Sequence, residues 1–391
     1  MSNRLEKVQL IATAAFGLEA VVARELSSLG YTDLETLNGR VAFSSDLSGI
    51  CRANLWLRSA DRVVLKVGEF EARSFDELFE KTRVLNWADW IPEDGRFPVE
   101  GRSVRSTLHS VPDCQAIVKK AIVESMKRRY RRSWFDETGP VYAVEVALLK
   151  DVATLTIDTS GAGLHKRGYR EVAGGAPLKE TLAAALVLLS GWRPGRFLLD
   201  PMCGSGTIPI EAALIGLNRA PGLRRAFAAE SWRTLPRNLW IEARSEARDL
   251  ERRDGRLEVY GSDADPGIVG LARENAGLAG LGSVIRFTNA RVEDLKVAAE
   301  YGCVICNPPY GERLGELREA ESLYRSMGRV FSSIPTWSLY ILSPHPRFER
   351  IFGRLADKKR KLYNGRIECH YYQFFGPRPP RTASGSAGPS E

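Results

Sequence analysis

The chain has 391 residues, 44% of them hydrophobic, which is too long for one compact domain and rich enough for two or three cores. A formal charge of +8 points to a polyanionic partner. No apolar run approaches a membrane span and the first seven residues are too polar to open a signal peptide, so a cytoplasmic protein is expected; as a separate expectation, it is a monomer.

Residues 8–13 read as a strand and 17–29 as an amphipathic helix that gathers Leu18, Val21, Val22, Glu25 and Leu26, with Gly30 as its C-terminal stop. Strands at 34–37 and 40–43 flank an Asn38-Gly39 hairpin signal. A helix at 46–53 and a strand at 63–70 complete a small α+β pattern. Then come a helix at 75–82, a strand-like run at 96–101 and a long helix at 113–132. In that long helix Ile117, Ala121, Ile122, Ser125 and Met126 repeat at helical spacing. Its other face carries Lys119, Lys120, Lys127, Arg128, Arg131 and Arg132. Strands follow at 141–148 and 152–158.

A different rhythm starts near Gly161. Helices are expected at 178–190, 207–216, 266–279 and 317–333. Strands are expected at 196–200, 257–263, 284–289, 303–307 and 337–342, with a final pair of strand-like runs in 365–375. Alternating strands and helices imply a doubly wound parallel sheet. The tail from residue 377 is rich in Pro, Gly and Ser and reads as disordered. The six cysteines are scattered. Cys303 and Cys306 form a CxxC, but they flank Val-Ile in an expected buried strand and no second pair completes a zinc set, so no metal site is expected.

Two segments carry chemistry. Residues 198–207 read Leu-Leu-Asp-Pro-Met-Cys-Gly-Ser-Gly-Thr, a strand running into a glycine turn that opens a helix. Gly204 and Gly206 would let the backbone approach a ligand, and the helix N-terminus offers free N–H groups to a carboxylate. Asp200, Pro201, Cys203, Ser205 and Thr207 belong to the same string. Asp263, with Ala264 after it, ends the next strand, where a carboxylate can accept both hydroxyls of a ribose. Asp265 competes for that role, although Asp265-Pro266 also reads as a helix N-cap followed by a first-turn proline. Asn289, with Ala290 beside it, ends the third strand; its amide meets an adenine amine or merely makes a surface turn.

The second segment is Asn307-Pro308-Pro309-Tyr310, at the end of another strand. An exocyclic amine on a base is a poor nucleophile because its lone pair is delocalised. The Asn307 side-chain oxygen and the Pro308 carbonyl can hold its two hydrogens and push the nitrogen toward sp³ geometry. Pro308 and Pro309 fix the backbone, and Tyr310 can stack on the base. A nucleoside cofactor facing a planar amine implies methyl transfer from S-adenosylmethionine, with proximity and alignment supplying most of the rate.

With these segments in view, the chain resembles the class I S-adenosylmethionine-dependent RNA methyltransferases that carry a THUMP domain and a ferredoxin-like domain. It is most similar to the bacterial 23S ribosomal RNA guanine-N2 methyltransferases, specifically the N-terminal methyltransferase half of the fused enzyme. The resemblance is carried by residues 14–20, 59–63, 106–110 and 176–180, the 200–207 string, Gly261-Ser262-Asp263 and residues 307–313. It implies an α/β fold: a Rossmann-like class I methyltransferase domain preceded by an α+β ferredoxin-like plus THUMP module. The expected bounds are 1–60 for the ferredoxin-like domain, 61–160 for THUMP, 161–376 for the methyltransferase domain and 377–391 for the tail. It further implies that the first two modules bind RNA and that Pro177, Leu178 and Glu180 pack by the cofactor. The family has an acidic residue where this chain has Asn289, whose oxygen can still accept.

Residues 219–256 form an insertion with ten Arg against six Asp plus Glu, a solvated helix or an RNA edge. The basic face of the 113–132 helix is an RNA surface or a solvated face; as an RNA surface it would read phosphates and shape rather than sequence. The target base would then be drawn out of its stack. The resemblance implies 23S rRNA as substrate, with a tRNA as the nearest alternative. A DNA amino-methyltransferase and a non-catalytic RNA-binding assembly factor are the remaining alternatives.

Overall fold

The structure, a computed structural model, describes residues 7–170, 178–252, 256–311 and 314–380. The chain divides into two compact units, Met1–Ala185 with Leu214–Asp254, and Leu186–Ala213 with Gly255–Glu391. Among the described residues no helix is long and apolar enough to cross a membrane.

The first unit is built on one seven-stranded sheet. Its strands are β1 (Val8–Ala14), β2 (Leu34–Leu37), β3 (Arg40–Ser45), β4 (Ala60–Glu71), β5 (Val99–Val104), β6 (Val144–Leu149) and β7 (Val152–Asp158), in the spatial order β2-β3-β1-β4-β7-β6-β5. β4 is the shared spine: β1 pairs with its first half and β7 runs along it to its end. The two modules expected from the sequence therefore share one sheet. Helix α1 (Glu19–Ser28) ends at Gly30, whose φ of 94° is left-handed, and Tyr31 N–H returns to the Leu26 carbonyl at 3.1 Å. Helices α2 (Ser48–Trp56), α3 (Phe75–Arg83) and α4 (Val111–Tyr130) complete the cover. α4 buries Cys114, Val118, Ala121, Ile122 and Met126; Ala121, Ile122 and Met126 are in the predicted stripe, whereas its Ile117 and Ser125 are only half-buried and Val118 takes the inner position instead.

The 219–256 insertion supplies α7 (Arg237–Asp249), a helix with one buried and one exposed face. Trp240, Ala243 and Ala247 are buried in the core of this unit, while Ile241 faces out at 63% exposure. Arg52 on α2 grips Glu246 with two bonds of 2.9 Å, and Phe227 stacks on Trp240. Gly222 has to be small: a Cβ there would lie 2.8 Å from the Leu55 Cα. Arg225 donates to the carbonyls of Ser160, Ala162, Gly163 and Lys166. Much of the arginine excess thus stitches the insertion to its own unit.

The second unit carries β8 (Leu198–Asp200), β9 (Val259–Asp263), β10 (Ile285–Asn289), β11 (Cys303–Cys306), β12 (Ser338–Ser343), β13 (Lys358–Asn364) and β14 (Ile367–Phe374), ordered β10-β9-β8-β11-β12-β14-β13. The first five are parallel. β14 and β13 form an antiparallel hairpin on the edge, which alternation alone did not predict. α8 (Pro266–Leu278), α9 (Leu314–Ser332) and a short α10 (Phe348–Phe352) pack here, and α10 is absent from the sequence reading. α5 (Glu180–Ser190) and α6 (Thr207–Gly216) each span a division between the units. All six cysteines are free thiols in buried positions, and among the described residues no group of three or more His, Cys, Asp or Glu could hold a metal.

Candidate active site

Strand order reverses at β8: β9 and β10 lie to one side, β11 and β12 to the other. A crevice forms where such a reversal occurs, at the carboxyl ends of the strands. The sequence-predicted residues sit at those ends. Asp200 closes β8, Asp263 closes β9, Asn289 closes β10 and Asn307 follows β11.

The glycine turn is held by its backbone. Cys203 N–H donates to the Ser262 carbonyl at 2.9 Å, and Gly206 N–H to the Cys203 carbonyl at 2.9 Å. Gly204 has φ 52° and Gly206 φ 83°, a region that costs an L side chain free energy. Their surroundings differ. A Cβ on Gly204 would meet no heavy atom within 4 Å, so the turn opens onto free space there. A Cβ on Gly206 would lie 3.1 Å from both Ala272 Cβ and Phe287 Cζ, so that glycine also allows helix and strand to pack closely. Asn275 Nδ2 fixes the Ser205 carbonyl at 3.0 Å, and the hydroxyls of Ser205 and Thr207 lie 3.5 Å apart. Pro201 and Thr207 are buried.

Three carboxylates divide the work. Asp263 accepts from Gly204 N–H at 3.0 Å through one oxygen and from Asp265 N–H at 3.1 Å through the other. It ties the glycine turn to the end of β9 and remains half-buried. Asp265 caps α8, accepting from Gly267 and Ile268 N–H at 2.8 and 3.3 Å, so the N-cap reading of Asp265-Pro266 is the one the geometry carries. Asp200 is 1% exposed and accepts from Met202 N–H at 3.2 Å. Burial pushes its carboxyl well above the ordinary carboxylate range, with the nearby Asp263 charge adding to the rise. Burial likewise raises the Cys203 thiol, so it stays protonated.

Asn289 is exposed and donates through Nδ2 to the Asp263 carbonyl at 2.9 Å. Its Oδ1 accepts from no donor among the described residues. Ala264 is exposed and Ala290 half-buried; Ala290 N–H shares the Asp263 carbonyl at 3.0 Å. Leu178 and Glu180 are buried, and Glu180 pairs with Arg170 at 3.3 Å within the first unit. Pro177 lies outside the described residues.

The 307–310 segment is anchored differently. Tyr324 donates its hydroxyl to the Pro309 carbonyl at 2.7 Å, and no donor among the described residues reaches the Pro308 carbonyl. Pro308 is buried and Pro309 exposed. Tyr310 does not present a free ring with an idle hydroxyl. Its O–H donates to Asn307 Oδ1 at 2.5 Å, and it accepts from Asn364 Nδ2 at 3.2 Å and from the Cys369 thiol at 3.6 Å. Burial raises its pKa beyond the ordinary tyrosine range, so the hydroxyl keeps the proton it donates. Asn364 and Cys369 belong to the edge hairpin β13–β14 and went unnoticed in sequence. No motif marks them, because only the pairing of the hairpin brings them to Tyr310.

The basic residues of α4 and just beyond its end are unequal. Lys119 is committed inside its module: Nζ donates to the Phe97 carbonyl at 2.9 Å and to Glu137 at 2.5 Å, and sits 3.5 Å from the Phe97 ring centroid. Lys120 lies 5.7 Å over Phe79, Lys127 pairs with Glu124 at 2.7 Å and Arg132 with Glu93 at 3.3 Å. Arg128 and Arg131 are exposed, and Trp134 just beyond them is 76% exposed, an aromatic the charge pattern alone did not single out.

Comparison with known proteins agrees with this layout. Residues 9–64 match the family described as the RlmL ferredoxin-like domain, residues 72–158 the THUMP domain, and residues 167–373 the family described as RMKL-like, methyltransferase domain. The chain is 53% identical over 386 residues to "Putative RNA methyltransferase YpsC" of Bacillus subtilis (strain 168), covering 98% of this chain and 100% of that protein. A crystal structure described as a predicted N6-adenine-specific DNA methylase from Listeria monocytogenes str. 4b F2365 is 55% identical, with a TM-score of 0.92 over 95% of this chain and 97% of that one. Another, "SMU.472, a putative methyltransferase complexed with SAH", is 46% identical, with a TM-score of 0.91 over 96% of this chain and 100% of that one.

Proposed function

The chain belongs to the RMKL-like methyltransferase family, and on that premise we propose that it transfers a methyl group from S-adenosylmethionine to the exocyclic N2 amine of a guanosine in 23S rRNA. The observation that carries the amine chemistry is the pair of acceptors after β11. Asn307 Oδ1 already receives a hydrogen bond, from Tyr310, and the Pro308 carbonyl has no donor among the described residues. Two such oxygens suit the two hydrogens of an amine.

The residues at the strand ends fit S-adenosylmethionine. The open side of Gly204 admits a ligand against the backbone, Asp263 offers carboxylate oxygens to a ribose, and the exposed Asn289 offers its oxygen to an adenine amine. The relative solved with SAH supports the same cofactor class. When bound, the cofactor supplies an electrophilic methyl on its sulfonium. Asn307 and Pro308 orient the target nitrogen and hold its hydrogens as its lone pair leaves the ring system. The ring constraints of Pro308 and Pro309, with the Tyr324 bond on the Pro309 carbonyl, keep these acceptors in place before substrate arrives. No strong base is required of the chain, because the methylated amine is acidic enough to lose a proton to solvent through the same acceptors.

RNA rather than DNA is favoured by the THUMP match over residues 72–158 and by the exposed Arg128, Arg131 and Trp134. The choice of guanine N2 and of 23S rRNA rests on the family resemblance of the 200–207 and 307–313 segments. Nucleoside mass spectrometry of rRNA and tRNA, each purified from wild-type and deletion cells, tests it. The expected result is a loss of N2-methylguanosine confined to 23S rRNA. A loss confined to tRNA would redirect the substrate, and unchanged RNA with a lost methylated base in DNA would overturn the RNA reading.

A further inference from the structure

The Tyr310 hydroxyl is held from several sides. It donates to Asn307 and accepts from Asn364, and the Cys369 thiol, whose one hydrogen is shared between it at 3.6 Å and the Ile367 carbonyl at 3.7 Å, lies beside it. The bond it donates ends on the oxygen that the reaction needs for the target amine. The backbone on either side is fixed. Pro308 and Pro309 restrict φ, the Pro309 carbonyl is held by buried Tyr324, and Gly311 at φ 70° lies so close to α9 that a Cβ would meet the Leu317 Cα at 2.6 Å. Release of Asn307 is therefore a rotation of the Tyr310 side chain, not a movement of the loop.

We propose that Asn364, supported by Cys369, is a positioning residue that holds Tyr310 closed over Asn307, so that the amine acceptor is released only to a base able to replace the tyrosine O–H with its own N–H. This rests on the reading of Asn307 as the amine acceptor. It adds a specificity element outside the 307–310 segment. Rotation leaves half-buried polar groups on Asn307 and Asn364 without partners, which is costly unless the incoming base provides them. A base edge with no N–H to present offers nothing to Asn307 and cannot hold the open state. A base with an amine exchanges one donor for another and frees the Tyr310 ring to stack. The closed population lowers apparent affinity for substrate by the fraction that is open, so weakening the latch improves capture without touching the reacting groups.

The test uses full-length enzyme grown with 3-fluorotyrosine. The chain has 12 tyrosines, and the Tyr310 fluorine resonance is assigned by its absence in Tyr310→Phe. Asn364→Ala should shift that resonance in the free enzyme. Adding unmodified RNA from cells lacking the enzyme, with S-adenosylhomocysteine, should move the wild-type resonance in the same direction. Asn364→Ala should lower KM for that RNA roughly three- to tenfold, the worth of one net hydrogen bond, with kcat within about twofold. A purely structural role would instead lower thermal stability and kcat together. The proposal is overturned if Asn364→Ala leaves the Tyr310 resonance in place, or if KM is unchanged or raised. Should Asn364→Ala not fold, Tyr310→Phe, which deletes only the hydroxyl, must show the lowered KM. If wild-type enzyme methylates none of this RNA, the functional reading fails, and the response of the Tyr310 resonance to Asn364→Ala still decides whether the latch exists.

Discussion

The two loops at the carboxyl ends of the sheet reach readiness by opposite means. The 200–207 turn is finished by bonds from its own backbone N–H groups: Cys203 to the Ser262 carbonyl, Gly204 to the Asp263 carboxylate, Gly206 to the Cys203 carbonyl. Its ligand-facing side stays open at Gly204. The 307–310 segment has an equally fixed backbone, yet its key oxygen is occupied by a side chain of the same segment. On the proposed reading, the cofactor is met by a waiting site and the substrate by a competitor, so that backbone order serves affinity and the occupied acceptor serves choice.

Substitutions on each side sharpen that contrast. The largest effect is expected at the amine loop. Asn307→Ala removes the orienting acceptor and should lower kcat on the order of 10²–10³-fold, the range seen when one preorganised stabilising group is removed, while S-adenosylhomocysteine and RNA still bind. Asn307→Asp keeps an acceptor and should retain far more activity. Single-turnover methyl transfer separates the two, and equal rates for Ala and wild type would remove Asn307 from the chemistry.

At the cofactor loop the effect should appear in binding instead. Asp263→Ala loses the anchor of Gly204 and the ribose acceptors together, at about 1–3 kcal/mol, or roughly 5- to 150-fold in affinity for S-adenosylmethionine by calorimetry. RNA affinity should be unmoved. A variant that binds the cofactor as tightly as wild type shows that the turn holds itself without this carboxylate.

On the RNA side, Arg128→Glu with Arg131→Glu should weaken RNA binding. The slope of log affinity against log salt should become shallower by about 0.7–0.9 for each phosphate that these arginines neutralise in the wild type. Lys119→Met should chiefly destabilise the module, because that ammonium serves Phe97 and Glu137. If the double arginine reversal leaves the salt slope unchanged, α4 is a solvated face and the RNA lies elsewhere.

The smallest expected effect is a pH dependence of stability. Burial, then the charges of Lys179, Lys166, Arg167 and Arg225, hold His165 down at about 4. A folded-state value below the unfolded one near 6.5 means the unfolded chain takes up the proton first. Stability is therefore whole above about pH 6.5 and falls as pH drops toward 4. His165→Gln should flatten that part of a denaturation-midpoint profile, modestly, since the ring is only half-buried. A profile identical to wild type would show that other groups set the acid limb.

Local signals made much of this legible. The Ala121, Ile122 and Met126 positions of α4, the Gly30 stop, the Asp265 cap and the four strand ends all follow from spacing and turn chemistry, which act over a few residues. What stayed hidden depends on distant partners. Arginine content made the 219–256 insertion look like surface, but Trp240, Ala243 and Ala247 find their core in the first unit. The Arg52–Glu246 pair that ties α7 to α2 joins residues 194 positions apart, far outside any periodicity window. Tyr310 reads as a stacking ring from its motif, and nothing local announces Asn364, 54 positions on. Side chains that act through the sheet edge are invisible until the edge is paired.

The most direct measurement is methyl transfer by purified enzyme, using S-adenosylmethionine labelled in its methyl group and total RNA from cells lacking the enzyme, followed by nucleoside mass spectrometry. Wild type should place the label in N2-methylguanosine of 23S rRNA, and Asn307→Ala should place almost none there while binding the same RNA. Label in a methylated adenine, in DNA offered alongside, or in RNA at equal yield from both enzymes would contradict the assignment of Asn307 as the acceptor for a guanine amine.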